Sequence, residues 1–556
     1  MRTVIIGGVA GGASAAARLR RLREQDEIII LERGHHISFA NCGLPYFIGG
    51  EIKDERMLTL QTPQSFKARF NIDVRVRNEA VAVKPDKHIV VVRELDNNGE
   101  YELSYDKLIL SPGAEPIKPP IEGVDLPHVF TLRNIPDTMK IKSYIEAENS
   151  KKAVVVGGGY IGVEMAENLV KAGLEVSIVE LADHLIAPLD GDMAADVHRY
   201  LRDNGISLYL GNAVTKITEN EVFLQNGSIS ADMVILSVGV RPETSLAKEC
   251  GIELNQRGSI IVNKQMQTNF PDIYAVGDAV EVADFVTGEP SFIPLAGPAN
   301  KQGRIAADNI AGIPSEYNGT QGSAIIKLFD MTAASTGLNE KRAKAMGIDF
   351  DKTYTFSASH ASYYPGAKNM SVKILWDKQT LRLIGAQIVG FDGVDKRMDV
   401  LATAIRFGAK VTDLAELELC YAPPFGSAKD PVNMAGFVAE NIITGKIKQF
   451  FWHDVEDLPR DGSVTLLDVR TKTEVARGKI DGFFNIPLDE LRDNLDKIPK
   501  NKPVYVHCHS GLRSYIACRI LEGHGLTCYN LAGGWRLYES VLHDRTVPPY
   551  ICTECK

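Results

Sequence analysis

The stretch AVVVGGGYIGVEMAENLV (residues 153–170), followed by VSIV (176–179) and Glu180, decides how this chain is read. A β-rich run enters a glycine turn, Gly157-Gly158-Gly159-Tyr160-Ile161-Gly162, continues as a helix and returns to a second β-rich run. In that context G-x-G-x-x-G is a dinucleotide fingerprint. Gly157 makes the tight turn, Gly159 lets the backbone approach a pyrophosphate, and Gly162 allows close helix–strand packing. The helix start turns unpaired N–H groups toward the phosphates. Glu180, 18 residues after Gly162, can accept from ribose hydroxyls and would repel a 2′-phosphate, which favours NADH over NADPH. Gly157, Gly159, Tyr160, Ile161, Gly162 and Glu180 form the expected NAD site.

The same pattern stands about 150 residues earlier: residues 4–6, Gly7-Gly8-Val9-Ala10-Gly11-Gly12, an Ala-rich helical stretch, residues 28–31 and Glu32. Val9 takes the middle glycine position, a departure from the fingerprint, yet Glu32 lies 20 residues after Gly12 at a strand end. Two such units imply two dinucleotides, with FAD plus NADH the simplest pairing. Gly7, Gly8, Gly11, Gly12, Glu32 and Arg33 are then expected at the FAD. An internal repeat of βαβ units places the chain in the α/β class with two Rossmann-like domains.

At 556 residues the chain is too long for one core, and roughly three or four domains are expected. Hydrophobic residues at 44% and charged residues at 24% exclude a disordered chain. The net charge, 62 − 71 = −9, weighs against nucleic acid or membrane as partner. Eight scattered cysteines do not make a disulfide scaffold and point to a reducing, cytoplasmic setting. No run of apolar residues is long enough to span a bilayer. The N-terminus imitates a secretory signal, but Gly7, Gly8, Gly11 and Gly12 interrupt its apolar core.

Ser111-Pro112-Gly113-Ala114 and the run from Thr268 through Gly277-Asp278 resemble further FAD segments of the pyridine nucleotide–disulfide oxidoreductases. That resemblance covers residues 1 to about 440 and implies that Ser111, Gly277 and Asp278 join the FAD site. It implies a discontinuous FAD domain (1–115 and 240–320), an NAD domain (116–239), an α+β dimerisation domain (321–443) and a homodimer. A linker (444–458) and a last α/β domain (459–556) would follow.

Ser38-Phe39-Ala40-Asn41-Cys42-Gly43-Leu44-Pro45-Tyr46 contains one cysteine, with Ile37 and Phe47 where a C-x4-C partner could sit. Cys42 therefore needs an outside thiol or its own sulfenic acid. A helix start nearby is expected to lower its pKa. The stretch resembles the signature of coenzyme A–disulfide reductases and their persulfide-reducing relatives, in which the cysteine forms a mixed disulfide with CoA. A basic cluster, Arg18, Arg20, Arg21 and Arg23, suits the phosphates of CoA, with Arg20 and Arg23 also readable as a solvated helix face. Tyr363-Tyr364-Pro365-Gly366 and Cys420-Tyr421-Ala422-Pro423-Pro424 resemble dimerisation-domain motifs whose tyrosines reach the other subunit's CoA sulfur. The resemblance implies Tyr363 and Tyr421 as catalytic groups, and Ser14, Arg18, Arg21, Ser38, Asn41, Cys42 and Lys429 as CoA contacts. Phe70 departs from relatives that carry a Lys there, with Lys67 and Arg69 as nearby substitutes.

Leu467-Asp468-Val469-Arg470, Glu474, Asn485-Ile486-Pro487 and Cys508-His509-Ser510-Gly511-Leu512-Arg513-Ser514 resemble a rhodanese domain. Backbone N–H groups and Arg513 would cradle the Cys508 sulfur as thiolate and then persulfide. Four residues separate Cys508 from Arg513, a ring suited to sulfur rather than phosphate. Cys518 and Cys528 read as buried thiols. Cys552 and Cys555 form a lone C-x-x-C, half a zinc site at most, and no metal is expected.

Together these features lead us to expect an NADH-dependent flavoprotein acting on CoA disulfide, CoA persulfide or polysulfide, coupled to a sulfurtransferase. An NADH oxidase or peroxidase using a Cys42 sulfenic acid is the enzymatic alternative. A sulfur carrier or redox sensor of low turnover is the alternative from another class.

Overall fold

The computed structural model describes residues 1–148 and 150–547; the Cys552–Cys555 pair lies outside them. Two compact units form, residues 1–182 with 209–322, and residues 183–208 with the chain from 323 onward.

The first unit holds both glycine fingerprints. Its first sheet is parallel, in the order Ile273–Ala275, Lys107–Leu110, Arg2–Ile6, Glu27–Glu32, Asp73–Val76. Such a sheet is covered on both faces, so its strands read as continuous apolar runs rather than alternating ones. Val4 and Ile5, Ile28 through Leu31 and Leu108 through Leu110 are all buried, each side chain contributing about 1.5–3 kcal/mol over its exposed state. The helix Ala10–Leu22 covers one face and meets the helix Ala296–Ile310 backbone to backbone. A Cβ at Gly303 would come within 2.3 Å of the Gly11 carbonyl oxygen, so glycine there is a packing requirement.

Arg20 departs from the solvated reading. It is buried, and its guanidinium donates to the carbonyls of Phe70, Arg23, Glu24 and Asn71 at 2.5–3.1 Å. It closes the helix end, where a cation suits the free carbonyls.

The second fingerprint lies in a sheet with the parallel order Glu175–Glu180, Lys152–Val156, Met233–Leu236, Val129–Thr131. The chain leaves the first sheet through Ala114–Pro116 and returns through Val240–Pro242, and these two segments pair antiparallel.

The second unit contains an antiparallel sheet, in the order Ala324–Leu328, Met331–Gly337, Leu383–Gly390, Asn369–Asp377, Phe350–Ala358. It also contains a parallel sheet, Gln449–Phe450, Cys528–Leu531, Val504–His507, Thr465–Asp468, Phe484–Asn485. Residues 183–208 group with this unit, and Asp190 and Asp192 from that segment join Glu340 around the buried Lys373 ammonium at 2.6–2.8 Å. Residues 444–458, read as a linker, hold the edge strand Gln449–Phe450, and the Trp452 indole N–H donates to Asp192 at 3.3 Å.

Helix Gly534–Thr546 is fastened to helix Gly191–Asp203 by polar contacts. His198 Nδ1 meets Asp544 at 2.7 Å, and Arg202 reaches the other Asp544 oxygen at 2.6 Å. Asp196 accepts from Arg536 and Ser540.

Candidate functional site

Within the first unit the two glycine turns superpose in their constraints. Gly7 has φ +98° and Gly157 φ +107°, a region that favours glycine. A Cβ at Gly12 would lie 1.9 Å from the Gly7 carbonyl oxygen, and one at Gly162 would lie 2.0 Å from that of Gly157. The middle position is different. A Cβ on Gly159 meets nothing within 4 Å, and both Gly159 (φ −75°) and Val9 (φ −103°) have backbones open to any L-residue. The valine in the first fingerprint is therefore a departure of letter, not of geometry.

Each terminal acid is held by two backbone N–H groups. Glu32 accepts from Gly8 at 3.0 Å and Gly34 at 2.7 Å, and Glu180 accepts from Gly158 at 2.6 Å and Ala182 at 2.7 Å. A carboxylate has about four acceptor positions, which leaves room for ribose hydroxyls on both. The sequence reading missed Ser237, the counterpart of Ser111. Its hydroxyl donates toward the Val156 and Gly157 carbonyls at 3.1 Å. The repeated Ser-x-Gly of Ser111–Gly113 and Ser237–Gly239 was the available signal.

Gly277 has φ +83°, and its N–H donates to Gln302 at 2.8 Å. Asp278 faces a narrow cleft shared with Phe292, Pro294, Pro298 and Gln302. Burial pushes its carboxyl above the usual range, with Arg133 offsetting only part. A desolvated acceptor at a cleft fits a hydroxyl-bearing ligand, and the open space over Gly159 fits a pyrophosphate. Arg33 is engaged with Glu115 at 2.9 Å and Glu243 at 3.4 Å. Ile161 is exposed beside Tyr160 at the start of helix Tyr160–Lys171.

Cys42 sits in the single turn Asn41–Gly43, reached by solvent, ahead of the short helix Leu44–Ile48. Ile37 and Phe47, where a second cysteine could have stood, are buried apolar groups. The expected drop in the pKa of Cys42 does not occur. Desolvation by the surrounding protein, then the carboxylates of Glu164 and Asp278, push the thiol up. One turn of helix carries little dipole, and the nearest charges are acidic.

Ser38 adopts φ +45°, uncommon for a residue with a Cβ. Its N–H donates to Gly8 at 2.8 Å and its carbonyl accepts from Leu60 at 3.0 Å, which pins the loop that carries Asn41 and Cys42. Ser14 donates to Asn300 at 2.5 Å, and Arg18 pairs with Asp308 at 2.7 Å. Arg21 is exposed, with no ion pair among the described residues. Phe70 packs on Phe66, and Lys67 is turned to Asn71 at 2.7 Å.

In the second unit the hydroxyls of Tyr363 and Tyr421 lie 2.9 Å apart, both side chains exposed. Arg397 and Asp430, missed in the sequence, hold the two loops together. Both are buried; Arg397 reaches Asp430 and the Ser359 carbonyl at 2.8 Å, while Asp430 caps helix Pro431–Ile443. Lys429 precedes that cap and is exposed.

Cys508 is buried, its sulfur accepting from the Gly511 N–H at 3.1 Å and the Ser514 hydroxyl at 3.2 Å. Gly511, at φ +104°, turns its N–H inward. Arg513 is paired with Glu474 through two bonds of 2.6 and 2.8 Å, close enough to Cys508 to feel its charge. Arg513 holds the Glu474 carboxyl down at about 2. On the preceding residue, burial drops the His507 imidazole to about 4.

Comparisons with known proteins find three family matches along the chain. The family described as pyridine nucleotide-disulphide oxidoreductase matches residues 1–303, its dimerisation domain residues 323–431, and the rhodanese-like domain residues 452–540. A Staphylococcus aureus coenzyme A disulfide reductase is 36% identical over 79% of this chain and all of its own length. An NADH oxidase of Methanocaldococcus jannaschii is 38% identical over 80% of the chain and all of its own. Reduced CoADR-RHD of Bacillus anthracis is 48% identical with a TM-score of 0.96, covering 98% of this chain and 99% of that one. The NAD-dependent persulfide reductase of A. fulgidus is 37% identical with a TM-score of 0.91, covering 97% and 100%.

Proposed function

Because the chain belongs to the pyridine nucleotide–disulphide oxidoreductase family and carries a rhodanese-like domain behind it, we propose that it uses NADH to reduce CoA disulfide, CoA persulfide or polysulfide. The work passes through a disulfide between Cys42 and CoA, and Cys508 receives or delivers sulfane sulfur. The observation that carries this reading is the solvent-reached Cys42 with apolar Ile37 and Phe47 where a second thiol could have stood. A thiol so placed needs an outside thiol or its own sulfenic acid, and the rhodanese-like domain favours the first.

FAD, held by the Gly7–Gly12 turn, Glu32 and Asp278, and NADH, held by the Gly157–Gly162 turn and Glu180, supply two-electron reducing power when bound. Cys42 does the sulfur chemistry: its thiolate attacks one sulfur of the incoming S–S bond and expels the other as thiolate or hydrosulfide. Tyr363 and Tyr421 share one hydrogen bond between two hydroxyls. One O–H is thus left to donate to a departing CoA thiolate, from the other subunit of a homodimer. Ser14, Arg18, Arg21, Ser38, Asn41 and Lys429 complete the CoA site. At Cys508 the Gly511 N–H and the Ser514 hydroxyl stabilise the anionic sulfur of a thiolate or persulfide. Fusion to the reductase raises the local concentration of the transferred sulfur.

The test is the peptide mass of protein purified without reductant. A CoA adduct on the Cys42 peptide, released by dithiothreitol, is the expected result. Unmodified or over-oxidised Cys42 with rapid NADH consumption on oxygen or peroxide would overturn it. That outcome would favour an oxidase, the activity for which the M. jannaschii relative is named.

A further inference from the structure

The sulfur of Cys508 is held by donors on either side of Arg513, the Gly511 N–H at 3.1 Å and the Ser514 hydroxyl at 3.2 Å. Arg513 stands in the first turn of helix Leu512–Gly523, so its guanidinium is the cation the loop itself carries toward an anionic donor. That cation is already taken. Its two terminal nitrogens donate to Glu474 at 2.6 and 2.8 Å. The carboxylate is fixed from behind as well: one of its oxygens also accepts the Thr471 N–H and the Thr471 hydroxyl, each at 2.9 Å. These bonds form the capping box of helix Lys472–Ala476, so Glu474 is held by its own helix start and does not depend on Arg513. The pair is part exposed, at 32% and 31%, where a donor can reach it.

Two further arginines lie against the loop, and both are matched in the same way. Arg536 gives its backbone N–H to the His509 carbonyl at 2.9 Å, while its guanidinium reaches Asp196 at 3.1 Å. Trp535 gives its backbone N–H to the Cys508 carbonyl at 2.8 Å. Arg470 lies 4.6 Å from the centre of the Trp535 ring and donates to Asp468 at 2.7 Å. Around one sulfur, three cations are balanced by three carboxylates.

We propose that Glu474 determines the specificity of the Cys508 site: by occupying Arg513 it selects an organic persulfide as sulfur donor and turns away thiosulfate. The Cys508 thiolate attacks the outer sulfur of R–S–SH. A bond forms between those two sulfurs, the old S–S bond breaks, and its electron pair leaves with R–S⁻. The proton stays on the transferred sulfur, giving Cys508–S–SH. With thiosulfate the same attack expels sulfite, a dianion with three oxygens, and such a group calls for a guanidinium whose fork is free. Here it meets a pair whose charges cancel and a carboxylate that cannot withdraw, and a mismatched charge is one way a site rejects the wrong ligand. A persulfide asks for less, one anionic sulfur that the Gly511 N–H and the Ser514 hydroxyl stabilise. This inference rests on the reading of Cys508 as the sulfur-transfer thiol.

The experiment is thiocyanate formation from cyanide by the full flavin-loaded protein without NADH, with glutathione persulfide or thiosulfate as donor. Cys508→Ala supplies the blank. Discharge of Cys508–S–SH by cyanide, giving the thiol and thiocyanate, is common to both donors, so the ratio of their kcat/KM values reports donor choice. In the native protein glutathione persulfide should be favoured by about tenfold or more. Glu474→Gln leaves the charge of Arg513 uncancelled and should lower that ratio about tenfold, chiefly through KM for thiosulfate. Glu474→Asp keeps the charge and should hold the ratio near its native value. Thr471→Val loosens the carboxylate and should shift the ratio the same way by less. It also carries the test if Glu474→Gln does not fold. A native ratio near one, or a ratio unmoved in the folded variants, would overturn the inference while leaving Cys508 as the transfer thiol. If neither donor yields thiocyanate above the blank, the reading of Cys508 falls, and the inference with it.

Discussion

The two nucleotide units follow one plan and part at two positions, and those positions separate what a backbone requires from what a ligand requires. The turn glycine and the closing glycine are interchangeable between units: Gly7 and Gly157 share a positive φ, and a methyl at Gly12 or Gly162 would strike the same carbonyl. The clamp on each terminal acid is shared as well. The middle position is Val9 in one unit and Gly159 in the other. The residue after the acid is Arg33, tied to Glu115 and Glu243, in one unit and exposed Leu181 in the other. The first two positions are set by atoms of the protein itself. The last two differ: in the second unit Gly159 and Leu181 are exposed, open to a bound molecule, whereas in the first Val9 is half-buried and Arg33 is tied to the protein.

The most damaging change should be Gly12→Ala or Gly162→Ala. A Cβ at 1.9 or 2.0 Å from a carbonyl oxygen forces helix and strand apart, at a cost of about 3 kcal/mol or more. A thermal melt should show it, together with loss of retained flavin for Gly12→Ala. If either variant melts like the native protein, backbone crowding is not what these glycines relieve.

Glu180→Gln comes next. It weakens two charge-assisted bonds worth about 1.5–3 kcal/mol each and removes the charge that opposes a 2′-phosphate. The ratio of kcat/KM for NADH over NADPH should fall by about tenfold or more, whereas Glu32→Gln should leave that ratio alone and loosen flavin. Equal effects on the ratio would merge the two sites that the comparison keeps apart.

Gly159→Val copies the first unit into the second. Stability should change by less than about 0.5 kcal/mol, because the added side chain starts in open space. KM for NADH should rise about tenfold where that space serves the pyrophosphate. A destabilised but fully active variant would reverse the assignment. The smallest effect is expected from Val9→Gly, a loss of about 0.5–1 kcal/mol from added chain freedom with little change in flavin content.

The sequence was most legible where a feature is local. Strand, glycine turn, helix and terminal acid recur within about 30 residues of chain, and the fold class, the rhodanese-like domain and the family follow from such runs. It was least legible where a side chain's partner lies far away in the chain. Arg20 stood in an Arg-rich run and read as half solvated, yet carbonyls of Phe70 and Asn71, 50 and 51 residues on, enclose it. Arg513 was expected over sulfur and is shared with Glu474, 39 residues before it. Arg397 with Asp430, and Lys373 with Asp190, Asp192 and Glu340, left no mark in the sequence.

What the sequence determined by itself was therefore the set of backbone conformations and the chemical groups on offer. Glycine at a positive φ, an apolar run in a doubly covered strand and a cysteine without a neighbour are properties of a few consecutive residues. The tertiary structure alone decided the electrostatic company of those groups. Cys42 shows the difference. Its turn predicted an easily ionised thiol, and the fold pushes it the other way, first by burying it and then by bringing up the carboxylates of Glu164 and Asp278, 122 and 236 positions later. Charges act through space over several ångströms in a poorly screened interior, so the sign of a pKa shift depends on every segment the fold brings near.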